Sequence, residues 1–156
     1  MSKFHFLKIN KINQLTNDAV EISFDISNVD IFSFVSGQYI TVKHEINNKD
    51  VRRAYSICSS PGEGLSIGVK LVEGGKMSSF LTKEVKEGDV LEVMPPLGDF
   101  VMNDNKNNVV GICAGSGITP VLSMIKSILS DNSERKFTLI FGNQSQASTM
   151  FLEQLR

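Results

Sequence analysis

Cysteine is scarce in this chain. Cys58 and Cys113 are the only two among 156 residues, and neither lies close in sequence to the other or to the two histidines, His5 and His44. A zinc or iron–sulfur centre needs clustered ligands, typically about four, so no metal site is expected and no disulfide framework is indicated. Long apolar runs are also missing: none approaches the ~20 residues that span a bilayer. Met1-Ser2-Lys3-Phe4-His5-Phe6 lacks the apolar core of a signal peptide. Net charge is −1, with acids and bases interspersed. That balance argues against a nucleic-acid or membrane partner held by basic residues. A reducing, cytoplasmic compartment fits these absences. The histidines read as surface residues, and the cysteines as small apolar residues near, but not in, any chemistry.

Short strands are what the chain does have. Val20–Ile26, Gln38–Val42, Leu65–Val72 and Val90–Val93 alternate or run apolar in the manner of strands. Turn-forming clusters separate them at Asn47–Asp50, Ser60–Gly64 and Glu87–Asp89. Such spacing suits a closed barrel or a sandwich. One helix is expected over Ser78–Val85, capped by Ser78 or Ser79 and burying Phe80, Leu81 and Val85.

The pattern changes after Phe100. Asn103–Asn108 is polar and turn-forming, a candidate domain boundary. Val109–Ala114 is nearly all apolar, as expected of a strand buried on both faces of a parallel sheet. Val121, Leu122, Ile125, Ile128 and Leu129 then recur at helical spacing, and Phe137–Phe141 is again strand-like. This is one βαβ unit with the usual right-handed crossover. Thr149–Arg156 begins what reads as a second helix. One βαβ unit cannot cover both faces of its sheet, so the second domain is expected to be incomplete. The expected boundaries are 1–102 and 103–156.

Three glycine- or arginine-bearing segments carry chemistry. Arg53-Ala54-Tyr55-Ser56 offers a guanidinium able to grip two phosphate oxygens, an aromatic face and a small hydroxyl. Period two puts Arg53 and Tyr55 on one face of an extended segment, so Ser56 joins them only at a twist or strand end. Alone, this is also an ordinary edge strand. Gly74-Gly75-Lys76-Met77-Ser78 approaches the expected helix, and a helix N-terminus presents free N–H groups to phosphate. Gly115-Ser116-Gly117-Ile118-Thr119-Pro120 joins strand to helix. There Gly115 allows the tight turn, Gly117 allows backbone to approach a phosphate, and Pro120 falls in the first helical turn, where its missing N–H costs little.

Together, and in this order, these segments resemble the ferredoxin–NADP reductase superfamily: its Arg-x-Tyr-Ser signature, its Gly-x-Gly-x-x-Pro turn, and the Pro95-Pro96-x-Gly-x-Phe100 exit from the barrel. The runs Tyr55–Pro61 and Leu91–Pro96 are similar to reductase components of multicomponent oxygenases, including the phenylacetyl-CoA epoxidase reductase type. The resemblance implies an all-β antiparallel Greek-key barrel that binds flavin, followed by the first βαβ unit of an incomplete α/β nicotinamide-nucleotide domain. It implies FAD rather than FMN, with Arg53, Ala54, Tyr55 and Ser56 in the cradle. Ser56 would bond to flavin N5 as the catalytic residue. Val69, Lys70 and Leu71 would make main-chain contacts, and Gly75, Lys76, Met77 and Ser78 would serve the pyrophosphate. Gly115, Gly117, Thr119 and Pro120 would bind NAD(P)H, with Thr119 near both flavin and nicotinamide. Phe141-Gly142-Asn143-Gln144 resembles the family's aromatic-Gly-Asn-Arg segment, with glutamine in place of arginine.

The expected function is an FAD-dependent NAD(P)H oxidoreductase, a reductase component. It passes electrons through FAD to an iron–sulfur or haem partner, such as an oxygenase electron-acceptor protein. A 2Fe-2S cluster would reside only in a further C-terminal domain. This stretch alone is expected to bind FAD but to turn over poorly. Two other readings stand beside it: a flavin-binding electron-transfer or regulatory subunit without hydride chemistry, and a nucleotide-binding module without flavin.

Overall fold

In the computed structural model the described residues are 3–26, 30–103, 108–131 and 134–156. Asp104–Asn107, within the candidate boundary, and Met1-Ser2 of the N-terminal reading lie outside them.

The first half is built from six strands: β1 His5–Thr16, β2 Ala19–Phe24, β3 Tyr39–Ile46, β4 Lys49–Ser56, β5 Leu65–Lys70 and β6 Val90–Leu97. They form one antiparallel sheet in the order β4-β3-β6-β1-β2-β5. A single bridge, Ile57 to Ile67, joins the two edges and closes the sheet into a Greek-key barrel. Cys58 N–H donates to Ser66 O at the same seam. The inward residues make one core, including Leu7, Ile9, Ile22, Ile40, Val42, Ile67, Val69 and Val93.

Local chemistry explains the strand ends. Asn47 and Asn48 both hold positive φ, 54° and 57°, the geometry of a two-residue hairpin turn between β3 and β4. The strand resumes at Lys49, so the turn is shorter than the polar cluster Asn47–Asp50 suggests. Pro95 and Pro96 lie inside β6, which proline's missing donor would ordinarily forbid. The position tolerates them because β1 pairs only with residues Val90 to Val93, and β3 crosses the prolines through a register shift.

One helix, α1 (Lys76–Lys83), packs against β3, β4 and β5 beside the seam. It starts two residues earlier than the serine-cap reading. Its N-cap is Gly75, and neither Ser78 nor Ser79 occupies that position. Met77 and Leu81 enter the core, with Phe80 and Val85 half-buried against it. The histidines are half-buried and ring-packed: His44 stacks on Phe80 at 3.9 Å and His5 meets Phe32 edge-on.

The second half is a parallel pair, β7 (Val109–Ala114) and β8 (Phe137–Gly142), with α2 (Ile118–Ser130) between them in sequence. Val121, Leu122 and Ile128 are buried, but Leu129 is 75% exposed. The apolar helical face is therefore narrower than the spacing suggests. β7 is likewise covered on one face only: Val110 and Ile112 are exposed, as is Ile140 of β8. The chain's last segment forms short 3-10 turns at Gln146–Ser148 and Leu152–Leu155 instead of a second α-helix. Met150 and Phe151 bury their side chains with Ala19, Cys58 and Ile118, tying that segment to the outside of the barrel.

No helix among the described residues is long and apolar enough to cross a membrane.

Candidate functional site

β4 runs along the edge of the sheet, and its inner row is Val51, Arg53 and Tyr55, opposite His44, Val42 and Ile40 of β3. Val51 and Tyr55 pack on the core, whereas Arg53 is exposed. The neighbouring Arg52 is committed: it grips Asp50 at 2.7 Å and lies over the Phe4 ring. Its hydrogen bond holds the Asp50 carboxyl below the usual carboxylate range. Arg53 has no such carboxylate among the described residues; one of its N–H groups donates to Arg52 O. The strand ends at Ser56. Neither the Tyr55 nor the Ser56 hydroxyl has a hydrogen-bond partner among the described residues. Burial pushes the Tyr55 phenol up to about 12, partly opposed by the nearby Arg53 cation.

Against β4 packs α1. Its first internal bond runs from Ser79 N–H to Gly75 O. The N–H groups of Lys76, Met77 and Ser78 are therefore without helical acceptors. No acidic residue occupies the first turn, and Lys76 stands there instead. A cation at the positive end of a helix dipole is unfavourable unless an anion joins it. The Ser78 hydroxyl is already used, donating to Gly75 O and accepting from Val72 N–H. The Met77 side chain is buried in the core. What Met77 and Ser78 can offer a ligand is thus their main chain.

β5 forms the third wall. Ser66 O meets Cys58 N–H at the seam, and period two turns the main chain of Lys70 to that same edge, beyond the last bridge. Leu71 N–H is committed to Asp18 O, and Val69 is fully buried. Among these three, Lys70 has the most accessible main chain.

A second concavity lies at the end of β7. Gly115 takes φ +51°, which a side chain would resist, and opens a 3-10 turn, Gly115–Gly117, that leads into α2. Gly117 has an ordinary φ of −63°, and a Cβ there would meet nothing nearer than Cys113 at 3.7 Å. Glycine at 117 is needed by neither the backbone nor the packing, which suits approach from outside the chain. Pro120 is the third residue of α2. Thr119 is buried, its methyl pressed on the backbone of Gly68 and its hydroxyl bonded to Ser116 O. The turn faces a cleft of about 590 Å³ lined by Asp18, Lys70, Ser116, Asn143, Gln144 and Ser148. Lys70 and Asp18 pair across its barrel side at 3.6 Å.

Sequence reasoning missed the part played by Asp18 and Ser148 in this cleft. Asp18 sits in a two-residue turn between β1 and β2, and β1 itself was not expected. Of the two cysteines expected to be buried, Cys58 is and Cys113 is only half-buried: burial, then the charge of Glu21, pushes the Cys58 thiol well up, and burial raises that of Cys113. No three metal-ligating side chains converge among the described residues.

The two halves of the chain each match a known family. Residues 6–102 match the oxidoreductase FAD-binding domain family, and residues 112–156 match the oxidoreductase NAD-binding domain family. The chain is 39% identical over 162 residues to a subunit of the 1,2-phenylacetyl-CoA epoxidase of Escherichia coli K12. That alignment covers 99% of this chain and 45% of the relative, so the chain spans less than half of that protein. Among solved structures, phthalate dioxygenase reductase, described as transferring electrons from pyridine nucleotides to [2Fe-2S], superposes with a TM-score of 0.84 at 28% identity. It covers 97% of this chain and 47% of its own. The flavohem-like FAD/NAD-binding domain of Vibrio cholerae nitric oxide dioxygenase superposes at 0.91 with 20% identity, covering 98% and 68%, and supports the fold. The chain belongs to the FAD- and NAD-binding oxidoreductases of the ferredoxin–NADP reductase superfamily.

Proposed function

We propose that this chain is the flavin-binding barrel and first nucleotide-binding unit of an NAD(P)H-dependent flavoprotein reductase. Its domains would divide as 1–102 and 103–156. The observation that carries the reading is the row Arg53, Tyr55 and Ser56. The Tyr55 and Ser56 hydroxyls have no partner among the described residues, and Arg53 spends one N–H on Arg52 O but meets no carboxylate among them, while the neighbouring helix α1 bears a cation and no acid at its N-terminus. Buried or half-buried polar groups are ordinarily satisfied. A ligand with a pyrophosphate and a large flat ring would satisfy all of these together. The residues present therefore fit FAD.

In this reading Arg53 and the amides of Lys76, Met77 and Ser78 neutralise the pyrophosphate, with Gly75 letting the chain turn closely past Ser78 Oγ and Val72, which a Cβ there would meet at 2.5 and 3.0 Å. Tyr55 packs its ring against the flavin, and Ala54 turns outward between the two contacts. The Lys70 main chain, with Val69 and Leu71 beside it, borders the isoalloxazine. Bound FAD supplies hydride acceptance at N5 and release of electrons one at a time. Ser56 places a small hydroxyl at the strand end, able to bond at N5 without blocking access. Gly115, Gly117, Thr119 and Pro120 present the dinucleotide turn, and the Lys70 ammonium adds positive charge to that cleft. The electron acceptor is proposed to be an iron–sulfur or haem protein of an oxygenase system. A 2Fe-2S centre would lie in another domain or another protein, because this chain has only Cys58 and Cys113. A cytoplasmic location accords with two free thiols.

Gln144, in the cleft where relatives of this superfamily are expected to carry arginine, favours a second reading: a flavin carrier without hydride chemistry of its own. Anaerobic addition of excess NAD(P)H to the FAD-loaded chain separates the two. The reductase reading predicts slow but complete bleaching of the flavin bands. Oxidised flavin that persists beside tight FAD binding would select the carrier.

A further inference from the structure

α2 carries a polar strip on the side turned to the barrel. Ser123, Lys126 and Ser127 stand at i, i+3 and i+4, one face of the helix. Ser123 is fully buried, and its hydroxyl donates to Ser59 O at 2.6 Å. Ser36, only 3% exposed, donates to Ser123 O at 3.1 Å and pairs its hydroxyl with that of Ser127. Lys126 reaches Glu63 at 3.6 Å, and Glu63 in turn accepts from Ser60 N–H. Each of these side-chain bonds joins the strip to the barrel.

The anchor points matter more than their number. Ser59 follows Ser56 by three residues, at the exit of the strand that bears the flavin row. Ser123 follows Thr119 by four, one helical turn beyond the dinucleotide turn. Apolar burial is non-directional and would hold α2 without fixing its register. A hydroxyl–carbonyl bond fixes distance and direction. Burying a hydroxyl is unfavourable unless it is bonded, so these serines favour one seating of the helix over its neighbours.

We propose that Ser123, through its bond to the Ser59 carbonyl, is a positioning residue that holds the Gly115–Pro120 turn in register with the flavin strand. The meaning of that register rests on the flavin reading above; the clamp itself does not.

Cys58 provides a built-in reporter. It is fully buried between the halves, beside Ala19, Ile118 and Phe151. In a Cys113→Ser background, reaction of Cys58 with an aromatic disulfide reagent reads opening of this junction. Ser123→Ala is expected to speed that reaction about five- to tenfold, the loss of one ordinary hydrogen bond. FAD affinity should stay within about twofold of the parent, since the flavin row is untouched. The flavin difference spectrum induced by NAD(P)+ should weaken. Ser123→Thr, which keeps the hydroxyl, should restore both readouts, and exposed Ser130→Ala should change neither. Ser36→Ala supplies a second route if Ser123→Ala does not fold. Unchanged Cys58 rates in both alanine variants would overturn the clamp. Faster Cys58 reaction with an unaltered nucleotide difference spectrum would overturn the positioning role. A parent chain that ignores FAD would sink the proposed function, while the Cys58 rates would still decide the clamp.

Discussion

The barrel and the βαβ unit use similar residues to different ends. In the barrel, Ile22, Ile40 and Ile67 are all fully buried, because the sheet curls until its inner face meets itself. In the βαβ unit, Ile112 and Ile140 are 74% and 56% exposed, because α2 covers one face of β7 and β8 and the other stays open. The same side chain thus stabilises one half and adds little to the other. The polar groups differ in the opposite sense. Among the described residues the barrel leaves the Tyr55 and Ser56 hydroxyls without a partner and Arg53 without a carboxylate, while α2 commits Ser123 and Ser127 to the junction. Where packing is complete, the polar groups left open lie at the proposed site; where packing is one-sided, the satisfied ones lie at the joint.

This contrast breaks most visibly in the barrel core. Ile22→Ala should cost about 2–5 kcal/mol, the range for buried large-to-small changes, read as a shift in urea midpoint. An unshifted midpoint would mean that Ile22 is not core. Next comes the junction. A Cβ at Gly68 would lie 2.6 Å from the Thr119 methyl and 3.1 Å from both Met150 and Phe151. Gly68→Ala should therefore cost about 1–3 kcal/mol by overpacking. It should also speed Cys58 modification, since the methyl pushes the halves apart.

A smaller effect tests the edge row. The Tyr55 phenol is held at about 12 by burial, above its ordinary value of 10.0. A group whose folded value is raised in this way favours the folded state below the unfolded value. That contribution is lost as pH rises from about 10 through about 12. Ultraviolet titration of the FAD-free chain should show a late tyrosinate phase, and Tyr55→Phe should remove it. The smallest effect is expected on the open face: Ile112→Thr should change stability by no more than about 0.5 kcal/mol. A loss comparable to that of Ile22→Ala would show that this face is covered in solution.

How much of this was legible in the sequence follows from what each signal depends on. β2 and β5 were visible because their apolar residues face one closed core. β1 was not: Leu7 and Ile9 alternate inward, but a bulge between Ile9 and Lys11 breaks the period, and the intervening lysines and asparagines obscure the rest. The helical run in α2 was visible, yet Leu129 shares its spacing while facing solvent. Spacing reports a face, whereas burial depends on what covers it. Continuous apolarity over Val109–Ala114 misled in the same way. The proposed Arg-x-Tyr-Ser cradle can be read from sequence because its chemistry is local to four residues. The Lys70–Asp18 wall and the Ser123–Ser59 bond join segments far apart in the chain, and single serines and lysines carry no signal of their partners.

The central claim, that the Arg53, Tyr55 and Ser56 row on β4 is a flavin cradle, is tested most directly by the visible absorbance of the chain after soaking with FAD and desalting, beside Arg53→Ala. The account predicts flavin bands that survive desalting in the parent. It predicts about 10- to 100-fold weaker FAD binding in Arg53→Ala, the worth of a charge-assisted contact to phosphate, with unchanged thermal stability of the FAD-free chain. A folded parent that emerges colourless, or an Arg53→Ala variant that holds FAD as tightly as the parent, would contradict it.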